Sequence, residues 1–280
     1  MNVSQLVSRR SVAVIAGLVG MVSLAIGAHA ALNKRALDAA KAIGTEQAAD
    51  AATRQSRLAL VIGNGHYPDA AAPLSQPIND ARALTSTLRQ SGFDVDVVED
   101  ASKDDMQRAI GRLKSKIKPE SVVMLFFGGY GIQAGRENYM IPVDARIWKE
   151  SDVRREGVSV ESVLDAVKEK GARAKLVVID ASRRNPYERR FRSYSHGLAP
   201  IAATDNALIL TAATPGKVVD DSRGANSVLV SELLTNLASQ GAGGIEAVFN
   251  KTRVTISRAS DGAQVPSVSS SLLDEIRIGG

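Results

Sequence analysis

The chain reads as an α/β protein with a mostly parallel central sheet flanked by helices on both faces. Three observations carry that reading. Short apolar runs recur at Leu58–Ile62, Val122–Phe127, Lys175–Ile179 and Ala207–Thr211. Between them lie longer segments whose apolar residues recur at three- and four-residue spacing, as on amphipathic helices. Apart from Lys175 and Thr211 at their ends the runs are apolar rather than alternating, which suits strands covered on both faces, and strand–helix alternation builds parallel sheets through crossovers.

Each element can be justified in order. Residues 1–30 read as a signal peptide or signal anchor: Arg9 and Arg10 precede the uncharged stretch Val12–Ala28, and Ala28-His29-Ala30 fits a small-x-small cleavage site. Ser8-Arg9-Arg10-Ser11 has a weak twin-arginine look. Export to a periplasm or beyond is expected, with inner-membrane anchoring through residues 11–28 as the alternative if the segment is retained. Residues 31–56 are rich in Ala, Lys, Asp, Glu and Gln and are expected to form a marginal helical tether.

The folded domain is expected over residues 57–277. Leu58–Ile62 is its first strand, closed by Gly63-Asn64-Gly65, and Pro68 to Pro77 is loop. A helix from Ile78 carries Ala81, Leu84 and Leu88 on one face and stops at Gly92. Val95–Val98 is a strand, and Asp100 or Ser102 caps a helix with the stripe Met106, Ile110, Leu113 and Ile117. Val122–Phe127 is wholly apolar and hence central. Asn138–Val143 is a short extended piece, and Val160–Lys170 a helix with Val163, Leu164 and Val167 inward. Strands at Lys175–Ile179 and Ala207–Thr211 and helices at Ser227–Leu237 and from Ile245 to about Arg258 complete the pattern. The tail from Gln264 to Ile276 shows no clear period.

Composition excludes several function classes. Aromatics are 4% of 280 residues, so the core rests on Val, Ile, Leu and Ala. The formal charge of +5 falls to about +3 once Arg9 and Arg10 leave with a signal, too little to argue for nucleic acid. With no cysteine there is no disulfide, thiolate nucleophile or thiolate metal site. His29, His66 and His196 show no ligand spacing, so neither a metal nor another cofactor is expected. Gly129-Tyr130-Gly131 is too short for a phosphate loop.

In open α/β sheets ligands collect at the carboxyl ends of strands. Asn64, Tyr130, Ser182 and Thr214 all stand just past such ends. Two ends are the most informative: Val122–Phe127 runs into Gly128-Gly129-Tyr130-Gly131, and Lys175–Ile179 into Asp180-Ala181-Ser182-Arg183-Arg184-Asn185-Pro186.

This pair of strand ends resembles the bacterial branch of the caspase-like cysteine peptidases. There the first strand ends in Tyr/Phe-Ala-Gly-His-Gly and the second in Asp-Ala-Cys-Arg-x-Asn-Pro, with the His about fifty residues before the Cys. Leu60–Asn64, Pro77–Ala81, Asn138–Asp144, Ala212–Gly216 and Val265–Ser267 extend the likeness. The resemblance implies a caspase-like sandwich in which Tyr130 takes the His position and Ser182 the Cys position. Both catalytic side chains are then replaced, since a phenol is protonated at neutral pH and cannot serve as the base. No Gly-x-Ser-x-Gly elbow surrounds Ser182.

The resemblance also implies that Asp80 and Asp180 match the acidic residues that hold a basic side chain in the first specificity pocket of metacaspase-like members. Their purely structural alternative is a helix tether for Asp80 and backbone amides for Asp180. Arg183, Arg184, Arg189, Arg190 and Arg192 form a guanidinium-rich segment that would suit an anionic partner, or a solvated loop with scattered ion pairs. Three functions follow as expectations. The first is a non-catalytic domain binding a peptide or protein, with an Arg or Lys side chain as its handle. The second is a serine-dependent endopeptidase cutting after basic residues through Ser182, with His66 or another group from a neighbouring loop as base. The third is a membrane-proximal scaffold binding anionic partners through the arginines.

Overall fold

A computed structural model describes residues 56–68, 73–191, 196–219, 224–239 and 244–278. The proposed signal and nearly all of the proposed tether lie outside the described residues. No described helix is long and apolar enough to cross a membrane.

The chain runs β1 (Arg57–Gly63), α1 (Gln76–Gln90), β2 (Asp94–Glu99), α2 (Lys103–Lys116), β3 (Val122–Gly128), β4 (Gly131–Ala134), β5 (Glu137–Met140), α3 (Glu150–Glu156), β6 (Val158–Ser159), α4 (Val160–Glu169), β7 (Ala174–Asp180), β8 (Ala207–Thr211), α5 (Val228–Ala238), α6 (Ile245–Ala259) and β9 (Ser267–Ser270). A six-stranded sheet has the order β2-β1-β3-β7-β8-β9, parallel except for β9, and β4-β5-β6 form a second, antiparallel sheet. Strands β3, apolar throughout, and β7, apolar from Leu176 to Ile179, lie at the centre of the six-stranded sheet.

The pleat divides each apolar run between two cores. Ala59, Val61, Met124, Phe126, Leu176 and Val178 face Leu84 and Leu88 of α1, Leu229 and Leu233 of α5, and Phe249 of α6. Leu58, Leu60, Ile62, Val123, Leu125, Phe127, Val177 and Ile179 face Met106 and Leu113 of α2 and Val163 and Val167 of α4. This two-sided burial is why the runs show no alternation. A third cluster, containing Tyr67, Ile132, Tyr139, Ile141, Ile147, Val153 and Tyr187, joins the small sheet to the loops after β1 and β7.

Several boundaries differ from expectation. Ser102, not Asp100, caps α2: its hydroxyl accepts from the Asp105 amide, and Asp105 answers to the Ser102 amide. Helix α1 begins two residues before Ile78 because Pro77 is tolerated in a first turn. The tail contains β9, whose polar sequence hides it. As an antiparallel edge strand it gains its order from pairing with β8 rather than from burial. The small strands β4 and β6 and the seven-residue α3 are too short to show a period.

Candidate functional site

The ladder between β3 and β7 does not stop where the strands end. Gly128 stands opposite Asp180, and beyond that pair the Gly129 amide donates to the Asp180 carbonyl at 3.2 Å. The Gly131 amide donates to the Ala181 carbonyl at 3.1 Å. Tyr130 and Ser182 are thereby held as neighbours at the carboxyl edge of the two central strands. The glycines are needed there: a Cβ at Gly129 would lie 2.5 Å from the Tyr67 hydroxyl, and one at Gly131 would lie 2.8 Å from Ala181 Cβ.

Tyr67 fixes Tyr130 from the other side. Its hydroxyl accepts the Tyr130 amide at 3.1 Å and donates to the Ile141 carbonyl at 2.9 Å. The two rings meet edge-on with centroids 4.8 Å apart. Burial pushes the Tyr67 phenol far above its ordinary range, so it is a permanent donor. Tyr130 is also raised by burial, an effect that the nearby Arg183 charge partly offsets. Neither phenol ionises near neutrality, and neither can act as a base there. Ser182 is 2% exposed. Among the described residues no hydrogen bond engages its hydroxyl, and none engages that of Tyr130.

Asp80 and Asp180 meet beneath this edge. Pro77, one turn before Asp80, packs on the ends of both β1 and β3, with its carbonyl 2.4 Å from a Cβ placed at Gly63 and its Cβ 3.3 Å from one at Gly128. That seat brings the first turns of α1 under the site. Asp80 is wholly buried; its Oδ1 accepts from Asn226 Nδ2 at 2.8 Å and the Ser227 amide at 3.0 Å, which ties α1 to the start of α5. Burial, reinforced by the negative charge of Asp180, pushes its carboxyl up to about 7 against those hydrogen bonds. Asp180 is 4% exposed and Arg183 8%. The Arg183 Nη2 lies 3.8 Å from Asp180 Oδ1, an ion pair too long for a hydrogen bond. Among the described residues, four buried atoms at the site have no hydrogen-bond partner: Oδ2 of Asp80, Oδ2 of Asp180, and Nε and Nη2 of Arg183.

The remaining arginines do not converge. Arg184 is exposed and reaches Glu188 at 3.7 Å. Arg190 stacks over Trp148 at 4.6 Å and Tyr187 at 5.3 Å, and donates to the Ile147 carbonyl at 2.7 Å. Arg189 is exposed, and Arg192 lies outside the described residues. Of its described arginines, the segment therefore buries Arg183 and leaves Arg184, Arg189 and Arg190 exposed. The other positions past strand ends are structural. Asn64 is fully buried and bonds to Ala101 and Ile141, and the Thr214 hydroxyl donates to the Val265 carbonyl.

Sequence reasoning missed two partners. His66, which shows no catalytic partner in the sequence, has its Nδ1 2.6 Å from Asp100 Oδ2. Asp100 Oδ1 accepts the Gly65 and His66 amides. Burial raises the Asp100 carboxyl, but those amides and the ring outweigh it and leave it below its ordinary value. No hydrogen bond among the described residues joins His66 to Ser182. The second missed partner is Tyr67; its sequence signal was only its place three residues past Asn64. Among the described residues no group of acidic or histidine side chains could hold a metal.

Comparison with known proteins agrees with this architecture. The family described as Caspase domain matches residues 56–277. The chain belongs to that family. It is also similar to the mucosa-associated lymphoid tissue lymphoma translocation protein 1 of Homo sapiens, 28% identical over 145 residues, or 51% of this chain and 17% of that protein. The Mus musculus homolog is 28% identical over 136 residues, 48% of this chain and 16% of the relative. The match thus spans about a sixth of each relative's length.

Proposed function

We propose that this member of the caspase family is an exported pseudoprotease, of the bacterial type, that binds a peptide or protein through an Arg or Lys side chain without cutting it. The observation that carries the reading is the juxtaposition of Tyr130 and Ser182 at the catalytic strand ends, above two buried carboxylates with unfilled acceptors. A caspase-type mechanism needs a thiolate-forming nucleophile and an imidazole to move its proton. Here the two positions offer an aliphatic hydroxyl and a phenol, both donors at neutral pH. The acidic floor is retained: Asp80 and Asp180 each keep one oxygen free to accept from a guanidinium or ammonium. Binding chemistry survives where cleavage chemistry is gone. The Arg9-Arg10 segment and the apolar stretch after it support export, and a retained segment would leave the domain anchored outside the cytoplasm.

A serine-hydrolase reading draws on the Asp100–His66 pair, which is the orienting half of a triad. It requires the His66 ring to reach the Ser182 hydroxyl, directly or through one water. The test is a fluorogenic peptide library with Arg, Lys and Asp in the first position, comparing wild type with Ser182→Ala. The proposal expects no Ser182-dependent turnover; turnover lost in the variant would overturn it in favour of the hydrolase.

A further inference from the structure

The unfilled groups at the site fall into two sets of opposite character. The acceptors are Oδ2 of Asp80 and Oδ2 of Asp180, both buried. The donors are Nε and Nη2 of Arg183, buried and without a hydrogen bond among the described residues, together with the hydroxyls of the half-buried Tyr130 and the buried Ser182. The ladder between residues 129–131 and 180–181 places the two hydroxyl-bearing residues side by side, and the Arg183 charge is close enough to act on the Tyr130 phenol. Arg183 is not spent on Asp180, from which it stands 3.8 Å away. An internal arginine of a polypeptide would satisfy the acceptors and leave this set of donors facing a neutral amide carbonyl. A chain that ends in arginine or lysine carries a cation for the acceptors and, a few bonds away, a carboxylate for the donors.

We infer that the site receives a free carboxyl terminus, with Arg183, Tyr130 and Ser182 directed at the terminal carboxylate and Asp80 and Asp180 at the basic side chain of the last residue. This inference rests on the proposed binding function and names its ligand class: the amino-terminal product of hydrolysis after a basic residue. The reaction class that supplies such ends is endoproteolysis by an enzyme specific for Arg or Lys. The two substitutions then have one explanation. A thiolate would be repelled by the product carboxylate, whereas a serine hydroxyl and a phenol donate to it.

The test uses the full chain and two labelled peptides of one sequence ending in Arg, one with a free carboxylate and one amidated, followed by fluorescence anisotropy. The acid is expected to bind at least about tenfold more tightly than the amide, the scale of one charge-assisted pair. In Arg183→Gln that gap is expected to fall below about threefold, and in Tyr130→Phe, which removes only a hydroxyl, to narrow measurably. Equal affinity of acid and amide for the wild type overturns the inference and leaves the proposed function standing. Failure of both peptides to bind overturns the proposed function itself. A gap that persists unchanged in folded Arg183→Gln and in Tyr130→Phe also overturns the inference.

Discussion

The edge strand β2 and the ends of the central strands β3 and β7 treat charge in opposite ways. On β2 every carboxylate has a basic partner from a flanking helix. Arg82 reaches Glu99 at 2.6 Å, Arg112 reaches Asp96 at 2.7 Å, and Lys116 reaches Asp94 at 2.7 Å. These pairs are solvated, cheap to form, and they dress an edge that would otherwise invite another strand. At the central site the buried Arg183 guanidinium stands 3.8 Å from Asp180, and among the described residues four buried polar atoms find no hydrogen-bond partner. The same chain that pairs its surface charges leaves its interior ones open, where each unmet group costs about 1–3 kcal/mol. On the proposed reading, that cost is retained in the interior for a ligand rather than for stability.

The largest expected effect comes from removing the acidic floor. Asp180→Ala is expected to weaken binding of an Arg-containing peptide by about 2–5 kcal/mol, the range for truncating one partner of a buried charge pair. Titration calorimetry would measure it, and an unchanged affinity would break the contrast between the two regions.

Next is a pH dependence centred on Asp80, whose carboxyl is raised from 3.8 to about 7. The folded state then holds a proton that the unfolded chain releases near pH 4. The neutral carboxyl's advantage is fully present below 3.8 and is lost as pH rises through about 7. The contribution is on the order of a few kcal/mol. Asp180 raises the Asp80 carboxyl through charge, while hydrogen bonds from Asn226 and Ser227 lower it. Thermal melts of Asp80→Asn should show a flatter stability profile between pH 4 and 7 than the wild type. Binding of a basic peptide should instead strengthen as pH rises through 7, because the carboxylate must be ionised to hold a cation. Parallel pH profiles for wild type and variant would contradict the assignment.

The smallest effect belongs to the edge. Lys116→Ala and Arg112→Ala should each move the melting temperature by no more than about 2 °C and leave peptide affinity unchanged. A larger shift in melting temperature would mean that the β2 pairs are structural supports rather than surface dressing.

The sequence made the central fold legible because β1, β3, β7 and β8 are buried on both faces and so are apolar over Leu58–Ile62, Val122–Phe127, Leu176–Ile179 and Ala207–Leu210. The amphipathic stripes of α1, α2 and α4 were equally plain. Strand β9 was not, because Ser267–Ser270 owes its order to a neighbour and carries no apolar signature. At the site, motif spacing brought Tyr130 and Ser182 to adjacent strand ends and pointed to Asp80 and Asp180. It could not show that Arg183 turns inward while Arg184, Arg189 and Arg190 stay exposed, since burial is set by tertiary packing and not by spacing along the chain. The Asp100–His66 and Tyr67–Tyr130 contacts join separate loops and are likewise written only in the tertiary structure.

The central claim is that the catalytic strand ends hold a basic peptide and do not cut it. Its most direct test is incubation of the full chain with an Arg-containing peptide under conditions where binding is measured, followed by mass spectrometry of the recovered peptide, for wild type and Ser182→Ala. The account predicts saturable binding, intact peptide, and the same result for both proteins. Cleavage after the arginine that disappears in Ser182→Ala would contradict it.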